Sequence, residues 1–313
     1  MFERDAGRSF GVSVERAHDG SRIVRHAEGY QYPLPAVFYD LDRRLQDMAA
    51  QGIDGAVLSL SPTMFFYDAA PAAGAGLAAA ANEALRRLQD HPSRCFRSLG
   101  VLPLQDAAAS LAELDHVARL GLCGVHIGTR VGDRGVTDPA FAELWAALER
   151  RGMMVLLHPY YTGDRPGLGR YYYSNLIGNP LDTAVALADL IFSGTLERHP
   201  GLKVCLVHGG GFLPYQVGRL DRGFAVRPET QGALRAAPST FMRRVYFDTI
   251  THHPLSLRFL VEMAGADRVL LGSDFPFDMG DPAPRRFVDE LPLGDAEKAR
   301  ILGGNARALA GWD

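Results

Sequence analysis

The sequence predicts an α/β protein built on a parallel sheet. Three observations carry that reading. Short apolar runs alternate with longer helix-like segments along the chain. The runs are almost continuously apolar, as strands covered on both faces should be. Several of them end on a residue that can titrate. Seven such runs are found, where a closed (β/α)8 barrel needs eight. The sheet is therefore either open or a TIM-like barrel lacking its first strand.

The elements follow in order. GAVLSLSP (55–62) reads as a strand and leads to an Ala- and Leu-rich helix at 76–92. SLGVLPL (98–104) precedes DAAASLAELDHVARLG (106–121), whose apolar positions recur at helical spacing. GVHIGTR (124–130) is followed by a helix over 138–151, and MMVLLHP (153–159) by one over 182–198. LKVCLVHGG (202–210) leads into a segment from Phe212 onward, and VYFDTIT (245–251) into PLSLRFLVEMAG. RVLLGSDFPF (268–277) precedes a last helical region at 294–311. Residues 1–38 offer a short hairpin and no buried strand, so they are expected to be an irregular segment. No linker, repeat or low-complexity stretch interrupts 1–313, which is taken as a single domain.

Composition narrows the function classes. Of 313 residues, 47% are hydrophobic and 22% charged, enough for a large core. The net charge is −3 and no Lys/Arg cluster stands out, which argues against a nucleic-acid grip. No apolar run is long enough to span a membrane. The three cysteines (Cys95, Cys123, Cys205) form no CxxC, and two lie in apolar runs, as free thiols of a cytoplasmic protein would.

Chemistry collects where the runs end: His158 in LLHP, His208 in LVHGGG, Asp248 in YFDTIT and Asp274 in LGSDFPF. The C-terminal ends of parallel strands share one rim, where barrel active sites sit. A single histidine there is more often a packed or capping one. Two histidines and two aspartates at equivalent ends favour a site. Neutral imidazole and carboxylate suit Zn²⁺ or another divalent ion, which lowers the pKa of bound water. His208 is the candidate proton carrier, with glycines that leave room beside its ring. A phosphate loop is disfavoured because HGGG lacks both a following Lys-Ser/Thr and the GxGxxG spacing. An esterase oxyanion hole would need a GxSxG turn, which the sequence lacks.

His158-Pro159, the His208-Gly-Gly-Gly run with GRLDRG, LLGSDFPF, DMAAQGIDGAVLSLSPTMFFYD and SNLIGNPLDTAVALADLIFSG resemble the amidohydrolase-2 family. Within it, the similarity is to the group around 2-amino-3-carboxymuconate-6-semialdehyde decarboxylase, from about Tyr39 to the C-terminus. The resemblance implies a metal-dependent (β/α)8 barrel. It places His158 and Asp274 among the Zn²⁺ ligands and His208 as the acid/base histidine. It makes Arg227 an arginine that holds the substrate carboxylate across a homodimer. The family's first-strand HxH pair is missing from this sequence, so metal coordination is expected to be incomplete. The family strand that carries it is also the one missing from the count, and a start codon placed too late is the favoured explanation. A second carboxylate-binding arginine of the decarboxylase is replaced by Tyr32.

Other residues carry paired readings. His252 is a candidate substrate contact, and His253 the start of a helix. Asp248 either orients a neighbouring group or caps backbone amides. His126 reads as a buried structural histidine, with a rim role as the alternative. Phe65, beside Phe66 and Tyr67, is either a pocket wall or loop packing; Tyr171–Tyr173 are a lid, a dimer contact or only hydrophobic cover. Arg219 is expected to pair with Asp221 or another acid on its helix. The leading function is a metal-dependent decarboxylase of a small carboxylated unsaturated or aromatic compound. Its alternatives are a hydrolase of a C–N or C–O bond and, because HxH is absent, a metal-free enzyme or binding protein.

Overall fold

The computed structural model describes residues 10–27, 31–160 and 165–312. They form two compact units. One runs to Asp54 and includes Phe275–Asp278; the other comprises 55–274 and 279–313.

In the first unit, strands β1 (Val12–Arg16), β2 (Arg22–His26) and β3 (Gln31–Pro33) make an antiparallel sheet in the order β1-β2-β3. The segment expected to be irregular thus contains the hairpin and a third strand. Val24 is fully buried and registers with Tyr32, and Tyr32 packs among the rings of Phe38 and Phe277. A polar sequence yields this small sheet because only one face needs covering. Helix α1 (Leu41–Ala50) follows, its Asp40 carboxylate accepting the Arg43 amide as an N-cap.

The second unit is a seven-stranded parallel sheet. Its strands are β4 (Ala56–Leu58), β5 (Phe96–Val101), β6 (Gly124–Gly128), β9 (Met154–His158), β10 (Lys203–Leu206), β11 (Tyr246–Asp248) and β12 (Val269–Leu270). A two-stranded ribbon, β7 (Arg130–Val131) and β8 (Arg134–Gly135), lies between β6 and β9 in sequence. The spatial order is β4-β5-β6-β9-β10-β11-β12, so each strand of the sheet pairs with the next in the chain. This is the neighbour pattern of a TIM-like fold, and β4 and β12 are its edges among the described residues. All seven expected strands are present.

The crossovers are α2 (Pro71–Gln89), α3 (Ala107–Arg119), α4 (Ala142–Arg151), α5 (Asn179–Phe192) with α6 (Thr195–Arg198), α7 (Leu213–Val226) and α8 (Pro254–Ala264). Their starts follow from local chemistry. Asp106 accepts the Ala109 amide to cap α3, and α4 ends on Gly152 at φ 60°. Val125, Val155, Leu157, Val204, Leu206, Phe247 and Val269 are buried at 0% exposure or close to it and form the centre of the core with Leu187, Leu190 and Ile191 of α5. Burying one such side chain contributes roughly 1.5–3 kcal/mol, so the sheet is a rigid floor for whatever its ends carry.

Candidate active site

The parallel register brings the strand-end residues to one level. His158 closes β9 opposite Gly128 of β6. A side chain at Gly128 would strike the ring of Tyr67 and the Cβ of Tyr160, so glycine leaves the space those side chains use. The Gly128 amide donates to the Tyr67 hydroxyl at 3.0 Å. His208 lies just past β10, its ring centroid 5.2 Å from that of His158. His126 lies one step deeper on β6, 5.7 Å from His158 and ring-edge to Phe65 at 4.9 Å. Three imidazoles thus follow one another across three neighbouring strands.

Their electrostatics are set by burial. Desolvation lowers His158 to about 4 and His208 to about 3, the latter aided by His158 and His252. His126, 2% exposed, is lowered well below its ordinary value, by burial and then by His158. All three rings are therefore neutral near pH 7. His158 Nδ1 lies 2.7 Å from the Pro159 carbonyl, which can only accept, so that nitrogen carries the proton and Nε2 the lone pair. Among the described residues, neither nitrogen of His126, nor Nδ1 of His208, has a hydrogen-bond partner.

Asp248 fixes the loop that presents His208. Its carboxylate accepts the His208 amide at 2.9 Å, the Gly209 amide at 2.7 Å and the Ile250 amide at 3.1 Å. Both sequence readings of Asp248 meet here, because capping these amides is how it orients the histidine. Burial raises its carboxyl to about 6 against the pull of the three amides. The glycines serve a different purpose from the one expected. Gly209 and Gly211 adopt φ of 60° and 67°, and a Cβ on Gly211 would sit 2.1 Å from the Pro180 carbonyl oxygen. They permit a tight turn against neighbouring backbone, and the room beside the ring is a consequence.

Left-handed backbone marks the rest of the rim. His208, His252 and Asp274 have φ of 56°, 53° and 51°. Such conformations cost of order 1 kcal/mol or more each and cluster at functional sites. The three residues share the wall of a cavity of about 610 Å³ over β10 and β11, at the N-terminal turns of α5, α7 and α8. His158 stands behind His208 and does not line that wall.

Several candidates fall elsewhere. Phe65 is 5% exposed and packs on Tyr67 and His126 in the core, so the pocket-wall reading gives way to packing. Arg227 ends α7 on the surface, ion-paired with Glu229 and outside the cavity. Arg219 does not pair with Asp221, which accepts the Ser239 amide at 2.9 Å instead. His253 caps α8 through the Leu255 amide, as expected. Tyr32 belongs to the aromatic cluster of the first unit.

Sequence reasoning missed the cavity's other walls. Asn175 and Asn179 come from the start of α5, and Ser256 and Phe259 from α8. Only an i, i+4 stripe on a helix already known to face the rim would have revealed the latter. It also missed Asp182, 3% exposed, which accepts from the Thr129 hydroxyl at 2.9 Å and from Arg165 below the β9 loop.

The donor types suit a divalent ion, and His158 is pinned in the tautomer that a metal needs. Yet among the described residues no group of three or more His, Cys, Asp or Glu is placed to hold one. The described residues alone do not make a complete metal site.

Residues 38–312 match the amidohydrolase model Amidohydro_2. The chain belongs to this amidohydrolase family. It is 32% identical over 278 residues to the 2-amino-3-carboxymuconate-6-semialdehyde decarboxylase of Dictyostelium discoideum, covering 88% of this chain and 77% of that one. The crystal structure of 5-carboxyvanillate decarboxylase from Sphingomonas paucimobilis superposes with a TM-score of 0.77 at 28% identity, over 86% of this amidohydrolase and 82% of that chain. A dihydroxybenzoic acid decarboxylase from Polaromonas sp., solved with bound manganese, shares the fold at 24% identity, with a TM-score of 0.76 and coverage of 86% and 85%.

Proposed function

We propose that this amidohydrolase decarboxylates a small carboxylated unsaturated or aromatic compound. The observation that carries the reading is His208: a neutral ring in the cavity wall, its Nδ1 without a partner among the described residues, on a loop fixed by Asp248. Decarboxylation breaks the bond from ring or alkene carbon to the carboxylate. CO₂ leaves, the electron pair stays on the carbon, and that carbon takes a proton. A neutral imidazole is a proton carrier. It accepts a proton from a substrate hydroxyl or a water and passes it to the carbon. Asp274, on the same wall, is the second group able to hold a proton beside the reacting carbon.

His158 and Asp274 are the donors assigned to a divalent metal, zinc or another, which when bound supplies positive charge beside the carboxylate. Its remaining ligands lie beyond these two. Arg227 is assigned to carboxylate binding across a homodimer. Its exposed place at the end of α7 supports a role at another chain's site, and its guanidinium suits a carboxylate.

The test is turnover of aromatic carboxylates in D₂O. The carbon that loses CO₂ should gain deuterium, and His208→Gln should lower kcat by roughly 10²–10⁴ with unchanged circular dichroism. Elemental analysis of the chain and of His158→Ala measures the metal in parallel. A product that keeps its carboxylate and gains water would overturn the proposal in favour of hydrolysis.

A further inference from the structure

The cavity is much larger than one ring requires. A dry cavity of about 150 Å³ accommodates benzene, whereas this one measures about 610 Å³, within the range of pockets for drug-sized ligands. Its titratable groups gather near one place, with His208, His252 and Asp274 at the strand ends. Asn175, Asn179, Thr251 and Ser256 add neutral polar groups, and the remaining lining is apolar. Leu255, Phe259 and Leu260 lie on one face of α8, with Phe212 and Tyr215 at the start of α7 and Leu176 just before α5. Tyr215 and Phe259 meet edge-to-face with centroids 5.7 Å apart, making one continuous aromatic wall. Four of the six are exposed: Leu176 at 47%, Phe212 at 40%, Tyr215 at 73% and Leu255 at 67%. Large apolar groups in contact with a cavity and open to water are stabilised by a ligand that covers them. Among the described residues no lysine or arginine lines the cavity, so none of them offers charge pairing to an anionic substituent in this arm.

We propose that the site takes a carboxylate whose ring carries a second apolar group, another ring or an alkyl chain, which lies against Leu176, Phe212, Tyr215, Leu255 and Phe259. The placing of the carboxylate rests on the decarboxylase reading; the apolar arm does not. Tyr215 and Phe259 set the specificity, because together they close the arm. A monocyclic acid fills only the polar end and leaves the aromatic wall wet.

The experiment is calorimetric titration of the full chain with 2-hydroxybenzoate and with 2-hydroxybiphenyl-3-carboxylate. The second should bind roughly tenfold tighter or more, from the apolar area its extra ring removes from water. Tyr215→Ala, at a position 73% exposed, and Phe259→Ala should each shrink that gap to about threefold or less. Equal affinity of the two acids for the unaltered chain overturns the proposal. If neither acid binds, the decarboxylase reading fails separately, and 2-phenylphenol against phenol decides the arm. Tighter binding of 2-phenylphenol, lost in both variants, upholds it, and equal binding overturns it. Self-association in sedimentation velocity that Tyr215→Ala abolishes, with no discrimination between the probes, would also overturn it and assign the wall to a second copy of the chain.

Discussion

Two polar regions of the same sheet are built on opposite terms. At the seam of α2, β5 and the start of α3, the fully buried side chains of Asn82, Ser98 and Ser110 are all satisfied. Asn82, fully buried, accepts the Val101 amide at 2.8 Å and donates to the Val101 carbonyl at 2.9 Å and to Glu113. Ser98 donates to the Leu85 carbonyl and Ser110 to that of Pro103. On the rim over β6, β9 and β10, His126 has neither nitrogen partnered, His208 lacks a partner at Nδ1, and the backbone turns left-handed at His208. A buried polar group without a partner costs about 1–3 kcal/mol. The seam uses polar groups to tie a helix to a strand. The rim holds them in reserve for something the folded chain does not itself provide. The difference separates structural from functional polarity better than burial does, since Asn82 and His126 are equally buried.

The comparison can be broken in four ways. The largest effect is expected from pH, because His158 and His208 act together and their combined shift exceeds the opposing one of Asp248, whose raised carboxyl favours the folded chain as pH falls. His158 and His208 have folded values of about 4 and about 3, both below the ordinary 6.5. As pH falls below about 6.5 the unfolded chain takes up protons that the folded rings refuse. Stability is therefore full above that value and falls as the pH drops towards about 4 and then about 3. Urea midpoints of chelator-treated protein between pH 7.5 and pH 4 should decline, and His158→Ala should flatten the decline; an unchanged slope in the variant would remove His158 from the account. Next is Gly211→Ala. Its left-handed φ and the Pro180 carbonyl 2.1 Å from a new Cβ predict a loss of roughly 2–4 kcal/mol. A thermal midpoint within a degree of the parent would show that the loop yields. Asn82→Ala should cost about 1–3 kcal/mol by orphaning both backbone groups of Val101. The smallest effect belongs to His126→Leu, which replaces an unsatisfied ring with an apolar group of similar size. It should change stability by less than about 1 kcal/mol, and in the favourable direction. Marked destabilisation by His126→Leu would erase the distinction between seam and rim.

Much of this was legible in the chain. All seven parallel strands could be read, because a doubly covered strand writes itself as an apolar run whose length and neighbours are unmistakable. The rim residues His158, His208 and Asp274 were legible for the same reason, since a polar residue ending such a run must emerge at the sheet's end. Residues that reach the rim from helices were not. Phe259 and Ser256 belong to an amphipathic pattern on α8 that serves core and cavity alike, and only the crossing of α7 and α8 decides which side chain does which. Phe65 erred the other way. Its place just after a strand suggested a pocket wall, but the neighbouring Tyr67 and His126 claim its ring for the core. The role of HGGG was hidden because a turn's close approach to Pro180 is a long-range fact that no local pattern records.

The Asp248 carboxylate joins amides from two strand ends, His208 and Gly209 after β10 and Ile250 after β11. None of the three can exchange with solvent deuterium by an independent local fluctuation while the carboxylate holds it. They should exchange as one cooperative unit, with a common opening free energy set by the weaker of the two strand ends. The imidazole of His208 then inherits its residence time at the cavity wall from β11, a strand it does not belong to.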